Sequence, residues 1–134
     1  MASPPQKCHV LEAWRLGILL YSRNLFLANE DITGEVSAMA REVLSHAEAV
    51  PVASGWAYSM LWSLFQAGLV LTSQGDSSDR EWLRNHILTM LRAVGCGGFH
   101  NALETLNMAW SRYDVGQSRA EVVTEIMSGP LIMA

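Results

Sequence analysis

Ala49 to Gly75 is a run of 27 residues without one charged side chain, centred on "WAYSMLWSLFQAG" (Trp56–Gly68). Such a run can be a membrane span, a buried core helix or the lining of a site. A span takes about 20 apolar residues, and Val50–Thr72 is long enough. Pro51, Ser54 and Gly55, however, shorten its helical part to about 17 residues. The flanking charges are Glu48, Asp76 and Asp79, with no Lys or Arg to anchor either side. The polar residues Ser59, Ser63, Gln66 and Ser73 fall on one narrow stripe, and everything else around the helix is apolar. The run therefore reads as the central helix of a bundle, near residues 56–72, covering the apolar faces of its neighbours.

Those neighbours all carry helical period, and none alternates as a strand does. Ser3 is placed to cap a first helix of about residues 4–28, with Pro4 and Pro5 in its first turn. Leu11, Trp14, Ile18, Tyr21 and Leu25 repeat at three and four, and are expected to be its buried face. Thr33 can cap a second helix that buries Val36, Met39, Ala40, Val43, Leu44 and Ala47, broken by Pro51 and Gly55. Ser78 and Glu81 have capping-box spacing. The helix they start packs on Leu83, Ile87, Met90, Leu91 and Val94 and stops at Gly95. "GCGGFHN" reads as a glycine-rich bend, after which Phe99, Leu103, Leu106, Trp110 and Tyr113 form a fifth face. Ser118 and Glu121 form a second capping box ahead of Ala120, Val123, Ile126 and Met127. The expectation is an all-α bundle of about six helices in a single domain, residues 1–134.

Composition narrows the function. The formal charge is −4, and the nine Lys plus Arg are scattered without a basic block. The segment is not built to neutralise a phosphate backbone, so no direct nucleic-acid contact is expected. Two cysteines, Cys8 and Cys96, cannot make a disulfide scaffold, which suits a reduced intracellular setting. The N-terminus lacks a basic start followed by a clean apolar stretch, so it is a poor secretory signal.

Candidate chemistry is sparse. His9, His46, His86 and His100 fall on four different helices or helix ends, with no H-E-x-x-H. They read as surface or interface histidines, and neither metal nor cofactor is expected. Cys96 lies four residues before His100, but no orienting carboxylate stands nearby in sequence, so a nucleophile is the weaker reading beside a small buried hydrophobe. "GCGG" follows a helix and lacks the lysine of a phosphate loop, so it reads as a helix stop. Tryptophans and methionines fall on apolar stripes and are expected in the core.

The order of landmarks adds a resemblance. "LWSLFQAG", then "SDREWLRNHI", then "HNALETLNMAWSRYDVG", then "AEVVTEIMSGPLIMA" resembles the C-terminal part of the fungal-specific transcription factor domain. That is the helical regulatory region which follows a zinc binuclear cluster in fungal regulators. Leu61, Trp62, Leu64, Phe65, Ala67 and Gly68 match its first motif, Asp79, Arg80 and Trp82 its second, and Trp110, Arg112 and Asp114 its third. Ser63 stands where the family has proline. The family's six-cysteine DNA-binding module and the N-terminal helices of its regulatory region have no counterpart, so no DNA contact and no catalytic residue carries over.

The resemblance implies a non-enzymatic regulatory or protein-interaction domain, nuclear or cytoplasmic, derived or truncated from a fungal regulator. An uncovered apolar face is expected to make it a homo-oligomer or a partner of a larger transcription regulator, through the first helix. The alternative is a small helical enzyme or ligand-binding accessory protein, whose pocket would use Cys96, His100, Arg80 and His86. Membrane association resting on Ala49–Gly75 is a third, weaker reading.

Overall fold

The computed structural model describes residues 4–26, 34–52, 56–72, 76–95 and 97–128. Six α-helices follow one another: α1 Pro4–Phe26, α2 Gly34–Glu48, α3 Leu61–Leu69, α4 Ser77–Val94, α5 Gly97–Asp114 and α6 Arg119–Ser128. A 3₁₀ turn, Ala57–Met60, leads into α3. No strand occurs among the described residues. The all-α expectation holds, and so does the place of the uncharged run. Short α3 packs against α1, α2, α4 and α5, and Ser63 through Leu69 are all buried. No described helix is long and apolar enough to cross a membrane.

Helix ends follow local chemistry. Gly95 takes φ 72°, and its N–H donates to Leu91 O at 2.6 Å, closing α4 as expected of a glycine stop. Ser118 Oγ accepts from Glu121 N at 3.4 Å, one half of the expected capping box. The other box does not form. Helix α4 starts at Ser77 after Asp76, and Glu81 pairs with Arg84 instead. Arg41 of α2 explains this: it donates to Asp76 at 3.1 Å and to Asp79 at 3.3 Å, pinning the start of α4 one turn ahead of Glu81. The glycine-rich "GCGG" is less of a bend than expected, because α5 already begins at Gly97. Ser3, Thr33, Gly55 and Ser73 lie outside the described residues.

Most expected faces are buried, with Val122 rather than Ala120 on the core side of α6. The exception is α1. Its core side is Val10, Ala13, Leu16, Leu20 and Asn24. The face expected there is outside: Leu11 is 59% exposed, Ile18 53% and Leu25 40%, with Trp14 at 36% and Tyr21 half-buried. Helix α1 carries two apolar faces, and side-chain size decides between them. A Cβ on Gly17 would lie 2.4 Å from Ser63 Oγ and 2.8 Å from Ser63 Cβ. The backbones of α1 and α3 approach so closely that only the face with Ala13 and Gly17 fits. The same contact accounts for two polar residues of α3. Ser63 and Gln66 are 0% and 2% exposed, because they face Gly17 and Asn24 of α1.

Gly17→Ala is predicted to destabilise the fold. A methyl there meets Ser63 Cα at 3.1 Å, and backbone cannot rotate away. Overpacking of about 1–3 kcal/mol outweighs the ~1 kcal/mol helix propensity that alanine adds. Gly34→Ala meets nothing within 4 Å and serves as the control. Thermal unfolding of the two variants is expected to move in opposite directions, or with Gly34→Ala unchanged.

Candidate functional site

The last turn of a helix leaves carbonyls without partners, and in a buried helix water cannot reach them. Helix α3 ends in the core, so its neighbours supply donors. Trp110 Nε1 of α5 donates to Gly68 O at 2.9 Å. The Tyr113 hydroxyl donates to Leu69 O at 3.0 Å, and Arg80 Nε of α4 donates to Leu71 O at 2.8 Å. Asn24 Nδ2 of α1 donates to Gln66 Oε1 at 2.9 Å and to Gln66 O at 3.3 Å. Arg80 is 5% exposed and is neutralised by Asp114, 2.9 Å and 3.1 Å from its Nη1. Its guanidinium lies 5.8 Å from the centre of the Trp110 ring, and Arg84 lies 5.3 Å from the same ring. Burial pushes the Tyr113 phenol up to about 12, and Arg119, desolvated beside it, is held below its usual value.

Gly68, Arg80, Trp110 and Asp114, drawn from all three sequence motifs, thus meet at one node. Gly68 belongs to it sterically as well, since a Cβ there would lie 2.6 Å from Leu106 and 3.0 Å from Leu83. The node is interior apart from Asp114 at its rim, and although Arg80 Nη2 has no hydrogen-bond partner, its remaining chemistry goes into holding α3, α4 and α5 together.

The four residues of the alternative pocket have separate surroundings. Arg80 is committed to the node. His86 is half-buried, its ring stacked 4.7 Å from Trp82, and desolvation lowers its affinity for a proton. His100 is exposed, with Nε2 3.1 Å from Glu104. Cys96 lies outside the described residues. A surface cleft of about 420 Å³ occurs elsewhere, lined by Leu19, Ser22, Arg23 and Phe26 of α1 with Glu35 and Met39 of α2. Not all tryptophans are core residues. Trp110 is 2% exposed, but Trp56 is 38% exposed, and Trp14 stacks on Trp62 near the surface at 5.3 Å.

Two features escape a reading made one helix at a time. The first is the free face of α1. Leu11, Ile18 and Leu25 stand at seven-residue intervals, with Trp14 and Tyr21 between them. The ring centres of Trp14 and Tyr21 each lie 5.3 Å from that of Trp62, so the aromatics lean on α3 while the aliphatics stand clear. The second lies between α1 and α2, where His9 Nδ1 and His46 Nδ1 are 2.8 Å apart. Glu12, one turn on from His9, and Glu42, one turn before His46, stand beside them. Desolvation and the neighbouring His9 lower the affinity of His46 for a proton. The spacings His9–Glu12 and Glu42–His46 are visible in the sequence, but nothing there says that the pairs meet.

Fold and node define an all-helical domain whose most characteristic residues serve its own architecture. Residues 1–127 match the fungal-specific transcription factor domain. The chain belongs to that family, and membership supports a role in transcriptional regulation. No curated protein and no solved structure matches it significantly.

Two predictions concern the node. Arg80→Ala leaves Leu71 O without its donor and Asp114 without its partner, for an expected loss of about 2–4 kcal/mol. Arg80→Lys is expected to recover only part of this, since one ammonium cannot serve carbonyl and carboxylate with the geometry of a guanidinium fork. Urea unfolding measures both. The raised Tyr113 pKa has a defined sign. Below the ordinary phenol value of 10.0 the contribution is intact, and stability falls as pH rises from there to about 12, by roughly 2–3 kcal/mol. Tyr113→Phe is expected to remove that loss and the last-titrating part of the phenolate absorbance.

Proposed function

We propose that the chain is a non-enzymatic regulatory domain that acts in the nucleus by self-association through the free face of α1. The observation carrying this reading is the heptad order Leu11, Trp14, Ile18, Tyr21, Leu25, whose aliphatic members Leu11, Ile18 and Leu25 stand exposed. Apolar residues alternating at three and four form the seam by which two helices pair. The seam runs about 20 Å along α1 and carries no charge. A second copy is its natural occupant, because a two-fold axis lays an identical seam against it. The other side of α1 packs on α2, α3 and α6, so the seam is held rigid before it meets a partner. That lowers the entropic cost of association. Family membership supports the regulatory part of the reading. Association with a larger regulator would use the same surface.

Light scattering across a range of concentrations tests the proposal. The natural chain is expected to dimerise, and Ile18→Glu to be monomeric with unchanged helical circular dichroism. Ile18 is more than half exposed, so the substitution spares the core. A chain that stays monomeric at high concentration, or a dimer that Ile18→Glu leaves intact, overturns the reading.

A further inference from the structure

We propose that Glu12, Glu42 and His46 bind a divalent transition-metal ion of the Zn²⁺ class, with His9 positioning the His46 ring, so that the ion clamps α1 to α2. This departs from the expectation of no metal drawn from sequence spacing, and it rests on how the two helices meet.

Glu12, Glu42 and His46 each offer a ligand atom, and these atoms lie within 4.8 Å of one another. Ligands about 2.0–2.2 Å from zinc in tetrahedral array stand roughly 3.3 Å apart. Small rotamer adjustments of half-exposed side chains close that difference. The helices provide the register. Glu42 and His46 are four apart on α2, and His9 and Glu12 are three apart on α1, so each pair projects from one side of its helix. The donor set suits the ion as well. Imidazole with carboxylate favours zinc and its neighbours over calcium or magnesium, and two carboxylates balance a double positive charge.

His9 supplies what a metal-bound histidine needs. A ligating imidazole uses its second ring nitrogen to hold a hydrogen bond that fixes tautomer and orientation. The 2.8 Å contact between the two Nδ1 atoms is such a bond, and it leaves Nε2 of His46 for the ion. Arg15 is the local competitor, because it pairs with Glu12. Its side chain is 58% exposed, so it can turn into solvent when the carboxylate takes the ion.

The test titrates the full chain with ZnCl₂ by calorimetry and follows thermal unfolding with and without EDTA. One ion per chain is expected, with the unfolding midpoint raised by several degrees and restored by EDTA. Glu42→Gln and His46→Ala are each expected to weaken binding more than tenfold. His9→Ala should cost about tenfold or more, and His9→Gln, which can still bond to His46, should cost less. Two controls locate the ion. Cys8→Ser, at the exposed thiol beside the site, and Ile18→Glu, on the seam, are both expected to bind as the natural chain does. No uptake of zinc, wild-type affinity in both Glu42→Gln and His46→Ala, or loss of binding in either control overturns the proposal. Because Ile18→Glu is a monomer under the proposed function, a clamp that survives it stands apart from self-association.

Discussion

Capping of the α3 carbonyls is the interaction on which the rest of the bundle depends. A short helix sunk in a core has a problem at its C-terminal end: carbonyls that water cannot reach and that the following turn satisfies only in part. Each such group left unpaired costs about 1–3 kcal/mol, and three carbonyls of α3, with that of Leu71 just beyond its end, accept side-chain donors from other helices. The solution dictates which helices lie beside α3 and in what register. Trp110 and Tyr113 must be three apart on one helix to reach successive carbonyls, and Arg80 must stand near the start of another to reach Leu71 O, two residues further on. Asp114 follows Tyr113 directly and holds Arg80 in place.

This accounts physically for the family's short motifs. Trp110 of one motif donates to the carbonyl of Gly68, which ends a second, while Asp114, of the same motif as Trp110, holds Arg80 of the remaining one. Apolar volume alone would not select those residue types, since leucine fills space as well as tryptophan but donates nothing. A buried hydrogen-bonded arginine also restricts the core to one arrangement, because sliding α4 by a residue would strand it.

Much of this was legible in the sequence. Helix number, the buried rows of α2, α4 and α5, the glycine stop at Gly95 and the centrality of the uncharged run all follow from period and local chemistry. The failures have a common physical cause. Period identifies an apolar face but cannot choose between two on one helix. On α1 the choice lay with Gly17 and Ala13, whose small size matters only once α3 is opposite. The same blindness hid the role of Ser63 and Gln66, whose stripe is visible in the sequence but whose contact with α1 is not. It hid the pairing of His9 with His46 too, since the distance between them in sequence is 37 residues. Spacing arguments see metal ligands within one helix and miss those divided between two.

Helix α1 emerges as the element where architecture and action meet. Its small residues and Asn24 face the core, where Asn24 binds Gln66 of α3 and also accepts from Arg119 of α6. One flank turns His9 and Glu12 toward α2, and the other presents the aliphatic seam. These roles are not independent. Tight packing at Gly17 fixes the rotation of α1 about its axis, and a helix fixed in rotation displays its remaining faces in fixed directions. A looser contact, with a larger residue at position 17, would let α1 roll, burying Leu11 and Ile18 and swinging His9 away from His46. The exposure of large apolar side chains on α1 is therefore a consequence of close packing elsewhere on the same helix. A face left out of a well-packed core for that reason is available to a partner without any rearrangement of the fold.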